Sequence, residues 1–177
     1  VNTPKIIGAA AEGGATLFRV DYFGKPAYLA QSPQLYKEQL TLSLDRVFEI
    51  STYFRAEKSH TRRHLSEFVS VDIEAAFFLK EDVMKVAEEV VFRAVKDVLK
   101  ECPKEFEILQ FTPELPSIPF ERITYTDVIR ELKGTGFSIT LGQDLDTNAL
   151  RRLSKIHPSY YFIVDWPINL KPFYIER

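Results

Sequence analysis

Five cationic and imidazole side chains, Lys58, His60, Arg62, Arg63 and His64, stand within seven consecutive residues of this sequence. Three fixed positive charges and two histidines on one loop make an anion clamp suited to a triphosphate, because guanidinium groups bind phosphate oxygens in pairs. A merely solvated loop is the competing reading of the same composition. The segments on either side alternate in polarity with the period of two expected of strands. In one, Phe48, Ile50, Thr52 and Phe54 oppose Glu49, Ser51, Tyr53, Arg55 and Glu57; in the other, Val69, Val71, Ile73 and Ala75 oppose Phe68, Ser70, Asp72 and Glu74. Charges that share a face must pair or meet a ligand, since taking an ion out of water costs several kcal/mol. An ion-pair ladder on a solvated face satisfies this, and so does a bound polar molecule.

Other chemistries find less support. His60 and His64 have no cysteine partners nearby and His157 is remote, so the spacing of a zinc site is missing. Neither a P-loop nor a Gly-x-Ser-x-Gly turn occurs. Glu12-Gly13-Gly14 reads as a mobile gate or as a flexible connector. Asp144 and Asp146 read as turn and cap residues rather than metal ligands.

The elements that would position these residues follow from local pattern. Thr16 to Gln31 reads as two strands joined in a hairpin at Gly24-Lys25. Ser32-Pro33 then opens a short helix, with proline at its first position, that closes at Leu44-Asp45-Arg46. From Glu81 to Glu101, valines, alanines and Leu99 recur at three and four, which predicts a helix covering the apolar face of the sheet and ending before Pro103. Pro113, Pro116 and Pro119 mark an extended connector. Beyond it, Thr124 or Thr126 caps a helix stopped by Gly134 and Gly136, Thr147 caps another through Ile156, and two strands interrupted by proline close the chain.

The 177 residues, 45% hydrophobic and 27% charged, suffice for one packed domain of ordinary size and argue against disorder. A formal charge of −2 provides no global cationic field, so any polyanion must be met locally. The single cysteine, Cys102, cannot form an internal disulfide and points to a reducing, cytoplasmic setting. No stretch reaches the ~18 apolar residues that span a bilayer. The chain opens on Val1 in strand-like text, as a piece of a longer polypeptide would.

Taken together, particular strings resemble a known family. FRAEKSHTRRHLSEF followed by VSVDIE is similar to the second signature motif of class II aminoacyl-tRNA synthetases, and QSPQLYK to the aspartate-specific element of aspartyl-tRNA synthetases. NTPKII resembles the end of the first class II motif, with Pro4 near the dimer interface of that family. EGGATLF, FIVDWP and KPFY match the archaeal type, and the resemblance covers nearly all of the chain. It implies an α+β fold: an antiparallel sheet flanked by helices with a small α/β insertion subregion, incomplete at both ends. Residues 1–112 would form the central catalytic portion, and 113–177 the linker and insertion leading back to the sheet.

The activity implied is ATP-dependent formation of aspartyl-adenylate and transfer of the aspartyl group to the 3′ end of tRNA(Asp), with tRNA(Asn) as a further acceptor, by a homodimer. By resemblance, Arg55 contacts both the substrate α-carboxylate and the α-phosphate and is the catalytic group. Glu12, Ser32, Gln34, Leu35, Tyr36, Lys37 and Asp72 would complete the aspartate pocket, with Lys37 on the substrate side chain and Glu12, Ser32 and Asp72 on its ammonium. Asparagine would leave the Lys37 charge unpaired. Ala56, Glu57, Arg63, His64, Leu65 and Phe68 would hold ATP together with Arg55, Phe68 stacking on adenine and Glu57 reading its amino group.

Departures accompany the likeness. Lys58-Ser59-His60 replaces the usual acidic and asparagine residues of the loop. The third class II motif, the acidic residues that hold Mg2+ and the anticodon-reading barrel are absent. The magnesium ligands are therefore expected beyond Arg177, and the piece alone is expected to be inactive. An asparaginyl-tRNA synthetase, a tRNA-independent asparagine-forming paralogue and a non-catalytic binding module derived from the same fold are the alternatives.

Overall fold

A computed structural model describes residues 1–8, 16–56 and 65–171. The chain divides into two compact units, Val1–Leu79 and Lys80–Arg177.

In the first unit, β1 (Ile6–Ile7), β2 (Arg19–Tyr22) and β3 (Lys25–Leu29) form an antiparallel sheet in the order β1-β3-β2. The hairpin turns at Phe23 and Gly24, both with positive φ (53° and 78°), one residue earlier than the sequence indicates. Two successive positive φ values give the turn the twist of the strands it joins, and glycine supplies one at no steric cost. Helix α1 (Gln34–Leu44) follows, then β4 (Arg46–Phe54) and β5 (Glu67–Ala75), paired antiparallel over their full length. Pro33 stands just before the helix rather than in its first turn, and the hydroxyl of Ser32 accepts from the Gln34 backbone N–H at 3.2 Å. Asp45, at φ 57°, reverses the chain between α1 and β4. Backbone bonds from Phe54 N to Ala30 O (2.9 Å) and from Ala56 N to Thr16 O (2.8 Å) tie β4 to the first sheet.

The register of β4 and β5 sets Glu49 opposite Asp72, Ser51 opposite Ser70 and Tyr53 opposite Phe68, so the two faces are those the alternation predicts. Their exposure is the reverse of what polarity suggests. Glu49 and Tyr53 are buried, whereas Phe48, Ile50 and Val71 are 62%, 59% and 58% exposed. The residues of the N-terminal segment explain part of this inversion, because Thr3 and Lys5 reach over the polar face and satisfy its charge there.

In the second unit, α2 (Lys80–Glu101) forms over the valine-spaced stretch, with Glu81 and Asp82 in the first turn and Lys100 in the last, but the expected buried face is not seen: Val83, Val90 and Val98 are exposed and Glu88 is the buried residue of the helix. Pro103 does not simply end it: Pro103 is the first residue of α3 (Pro103–Leu109), where a missing N–H costs nothing. The connector then leads to β6 (Glu121–Thr124), α4 (Tyr125–Gly134), α5 (Thr147–Ile156) and β7 (Tyr161–Val164), with β6 and β7 parallel. The α/β subregion expected from the resemblance is therefore present. Thr124 caps α4 through the Asp127 N–H at 3.1 Å. Asp146, rather than Thr147, caps α5 through the Ala149 N–H at 2.7 Å. Tyr125, Val128, Ile129, Leu132, Ala149 and Leu153 bury one face of each helix against Ile123, Ile139 and Leu145. Buried Glu88 of α2 accepts from the Phe120 N–H (3.0 Å) and pairs with Arg122 (2.9 Å), which fixes the entry to β6.

No helix among the described residues is long and apolar enough to cross a membrane.

Candidate active site

The polar face of β4 and β5 carries the side chains with chemical potential, and α1 lays one of its own beside them. Lys37 lies a single turn into α1, its backbone N–H bonded to Pro33 O at 2.9 Å. Its ammonium sits 3.2 Å from Asp72 Oδ1 and 3.5 Å from Glu74 Oε2, and the lysine side chain is only 11% exposed. A half-buried ammonium between two carboxylates is one positive charge facing two negative ones, so the cluster retains an excess negative charge. Asp72 Oδ2 is also buried with no hydrogen-bond partner among the described residues. An orphaned carboxylate oxygen of this kind forfeits about 1–3 kcal/mol, which a donor from a ligand would recover.

Further along the same face, the Arg55 guanidinium lies 5.4 Å from the centre of the Phe68 ring. Arg55 is exposed, and its backbone N–H bonds to Ser66 O at 3.0 Å, continuing the ladder past the end of β4. Phe68 and Asp72 are four residues apart on one strand, about 13 Å at the usual strand rise. The floor thus has an anion-rich end with one lysine, and a cation-and-ring end. Such a surface suits a zwitterion joined to a planar, anionic group.

Alongside both ends, on β4 opposite Asp72 and Phe68, lies a third cluster that the sequence does not isolate. Glu49 accepts from Thr3 N (2.8 Å), Thr3 Oγ1 (2.8 Å) and Lys5 Nζ (2.8 Å), and Lys5 also donates to the Tyr53 hydroxyl at 2.6 Å. Burial pushes the Glu49 carboxyl up, but the Lys5 ammonium and the two Thr3 donors outweigh it and hold the group at about 2. Burial raises the Tyr53 hydroxyl above its ordinary value despite the Lys5 and Thr3 bonds, so it stays protonated. Glu49 is therefore a satisfied structural anion and does not form a ladder with Arg55.

The remaining expected site residues divide into several groups. Gln34 turns its amide to Glu38 on the next turn of α1 at 2.5 Å, while Leu35 and Tyr36 beside it are exposed. Ser32 is half-buried at the entrance to α1. Ala56 is half-buried, and Leu65 is exposed at the entry to β5. Glu12, Glu57, Arg63 and His64, together with the rest of the cationic loop, lie outside the described residues. Glu74 is the residue that sequence reasoning missed: its place on the polar face was legible, but the second bond to Lys37 is a consequence of where α1 packs. Among the described residues, no group of three or more His, Cys, Asp or Glu side chains could hold a metal ion.

Comparison with known proteins follows the same outline. Residues 1–177 match the family model of tRNA synthetases class II (D, K and N). The chain is 48% identical over its full length to an aspartate–tRNA(Asp/Asn) ligase of Saccharolobus solfataricus, covering 42% of that protein. It is 45% identical to an aspartate–tRNA(Asp) ligase of Thermoplasma acidophilum over 98% of its length, covering 41% of that relative. Among solved structures, an asparaginyl-tRNA synthetase of Pyrococcus horikoshii complexed with asparaginyl-adenylate superposes on 99% of this chain and 41% of its own, with a TM-score of 0.89 and 40% identity. The chain spans about two fifths of the length of the curated relatives it matches.

Proposed function

Since the chain belongs to the class II tRNA synthetases of the D, K and N group, we propose that it forms part of an aspartate–tRNA ligase. The observation that carries the reading is the Lys37–Asp72–Glu74 cluster on the same sheet face as the Arg55–Phe68 pair. In this reading the ammonium of L-aspartate meets the unpartnered Asp72 oxygen and the Ser32 end of α1, and its side-chain carboxylate takes a share of Lys37. The α-carboxylate and the α-phosphate of ATP are drawn together by Arg55, while the adenine ring stacks on Phe68.

The α-carboxylate oxygen attacks the α-phosphorus, pyrophosphate leaves, and aspartyl-adenylate forms. The terminal ribose hydroxyl of the tRNA then attacks the activated carbonyl, and AMP leaves. Arg55 is worth most where negative charge concentrates on the pentavalent phosphorus. Glu12 and the loop residues Glu57, Arg63 and His64 complete the grip on ammonium and triphosphate in this proposal, and Gln34, Leu35, Tyr36, Ala56 and Leu65 shape its walls. The acceptor proposed is tRNA(Asp), with tRNA(Asn) as a second acceptor, and the working form is a dimer.

Aspartate is preferred over asparagine because its side-chain carboxylate brings a charge to the Lys37 ammonium, which an amide does not. A second reading, asparagine as substrate, draws on the likeness to the Pyrococcus asparaginyl enzyme and on the prior neutralisation of Lys37 by Asp72 and Glu74. ATP–pyrophosphate exchange in the intact protein separates the two. Aspartate-dependent exchange that falls at least ~100-fold in Lys37→Met supports the first reading. Exchange driven by asparagine and indifferent to Lys37 supports the second, and exchange with neither amino acid refutes both. Charging of tRNA(Asp) and tRNA(Asn) transcripts by the same preparation then tests the two acceptors, and sedimentation tests the dimer.

A further inference from the structure

The second unit carries a surface that the active-site reading does not use. The outward side of α5 presents Arg151, Arg152 and Lys155, all exposed, while Ala149 and Leu153 are buried on the opposite side. The three cations line one open cleft of about 440 Å³ together with Asn148, Phe137 and Thr135, and none of its lining residues among those described is a carboxylate. Arg152 is anchored, donating to the Thr135 carbonyl at 2.8 Å with its guanidinium 5.9 Å from the Phe137 ring centre.

Three acidic side chains of this unit are engaged elsewhere. Asp127 pairs with Arg130 and accepts from the Thr124 hydroxyl, Glu131 bonds to His157 at 2.7 Å, and Asp146 caps α5. Among the described residues, neither Arg151 nor Lys155 has an ion-pair partner.

We propose that this cationic side of α5 is a contact site for the sugar–phosphate backbone of RNA. Arg151 and Lys155 are four residues apart, about 6 Å along the helix axis, so they lie as neighbours on one side of α5 and present their charges in a row. A row suits a polymer of phosphodiesters better than one small anion, and an exposed fork of donors suits phosphate oxygens. The chain's net charge of −2 makes the attraction local, so it positions a bound strand and does not gather polyanions generally. The occupant named, the tRNA substrate, rests on the ligase reading above; the cationic row itself does not.

The test compares the intact enzyme with Arg151→Glu/Lys155→Glu and with the charge-keeping Arg151→Lys/Lys155→Arg. The KM for tRNA in aminoacylation is measured between 50 and 200 mM salt, beside aspartate-dependent pyrophosphate exchange without tRNA. The charge reversal should raise the KM for tRNA about tenfold or more and flatten the log–log salt slope by about 2, one for each lost phosphate contact, with exchange unchanged. The charge-keeping variant should match the wild type. An unaltered KM and slope in the reversed variant, or an equal loss in the charge-keeping one, overturns the proposal. Absence of exchange in the wild type sinks the ligase reading instead. In that event, direct binding of duplex RNA by the same proteins decides the contact: loss on charge reversal supports it, and equal binding refutes it.

Discussion

Replacing Glu49 with glutamine keeps the shape of the side chain and removes the charge on which the Thr3–Lys5–Tyr53 cluster closes. The wild-type carboxyl is held at about 2 against an ordinary 4.5, and at about 1.4 kcal/mol per pH unit the gap corresponds to about 3 kcal/mol of stability at neutral pH. The figure belongs to the carboxylate, which is almost wholly buried, and not to Lys5, whose side chain is more than a quarter exposed. Because the folded value lies below the unfolded one, this contribution is complete above pH 4.5 and is lost as the pH falls towards 2. Hydrogen exchange over Arg46–Phe54 reads it directly. At pH 7, Glu49→Gln should speed exchange of the protected β4 amides by about two orders of magnitude, and the difference from wild type should shrink as the pH is lowered through 4.5. A change of less than about threefold at pH 7, or a difference that persists at pH 2.5, would refute the argument that a paired, buried anion pins this strand. Since Glu49 stands opposite Asp72, the same variant should also blur the position of the Lys37 partner and raise the aspartate KM more than it lowers kcat.

Three further outcomes are expected. Arg55→Lys keeps the charge but not the planar fork, and should lower kcat for pyrophosphate exchange about 100-fold while changing the aspartate KM by less than about fivefold. Asp72→Asn should raise the aspartate KM about 10- to 100-fold, the cost of about 1–3 kcal/mol for one lost charged partner, with thermal stability little changed. The second unit should lose stability as the pH rises. Burial opposes protonation of His157, but its bonds to Glu131 (2.7 Å) and Glu121 (3.1 Å) prevail and raise its pKa, so its contribution is full below the ordinary histidine value of 6.5 and is lost as the pH climbs through the raised one. Thermal melting followed by Trp166 fluorescence should show this decline in the wild type and a flatter profile in His157→Gln.

The sequence by itself determined the elements and their faces. Period-two alternation around Arg55 and Asp72 assigned both residues to one side of a two-stranded sheet, and the register pairs Glu49 with Asp72 as that side requires. Valine spacing, Thr124 or Thr126, and Gly24-Lys25 likewise announced a helix, a cap and a turn, because each is a local preference of a few neighbouring residues, and the structure chose Thr124 as the cap. The strings QSPQLYK and FRAE announced the family for the same reason, as chemistry written into contiguous residues.

Only the tertiary structure decided which face was buried and which charges met. Polarity alone assigns Phe48 and Ile50 to the interior, yet they are exposed, and Glu49 is buried because Thr3 and Lys5, more than 40 residues away in sequence, supply its donors. Lys37 was legible as an ammonium but not as one shared by Asp72 and Glu74, since that depends on the docking of α1 beside β5. Pro103 was legible as a break but not as the start of α3, because a missing N–H fits equally after one helix and at the head of the next. Alternation fixes a side chain's direction relative to its own strand, and only the other segments that pack there determine whether that direction leads to water, to a partner or to a substrate.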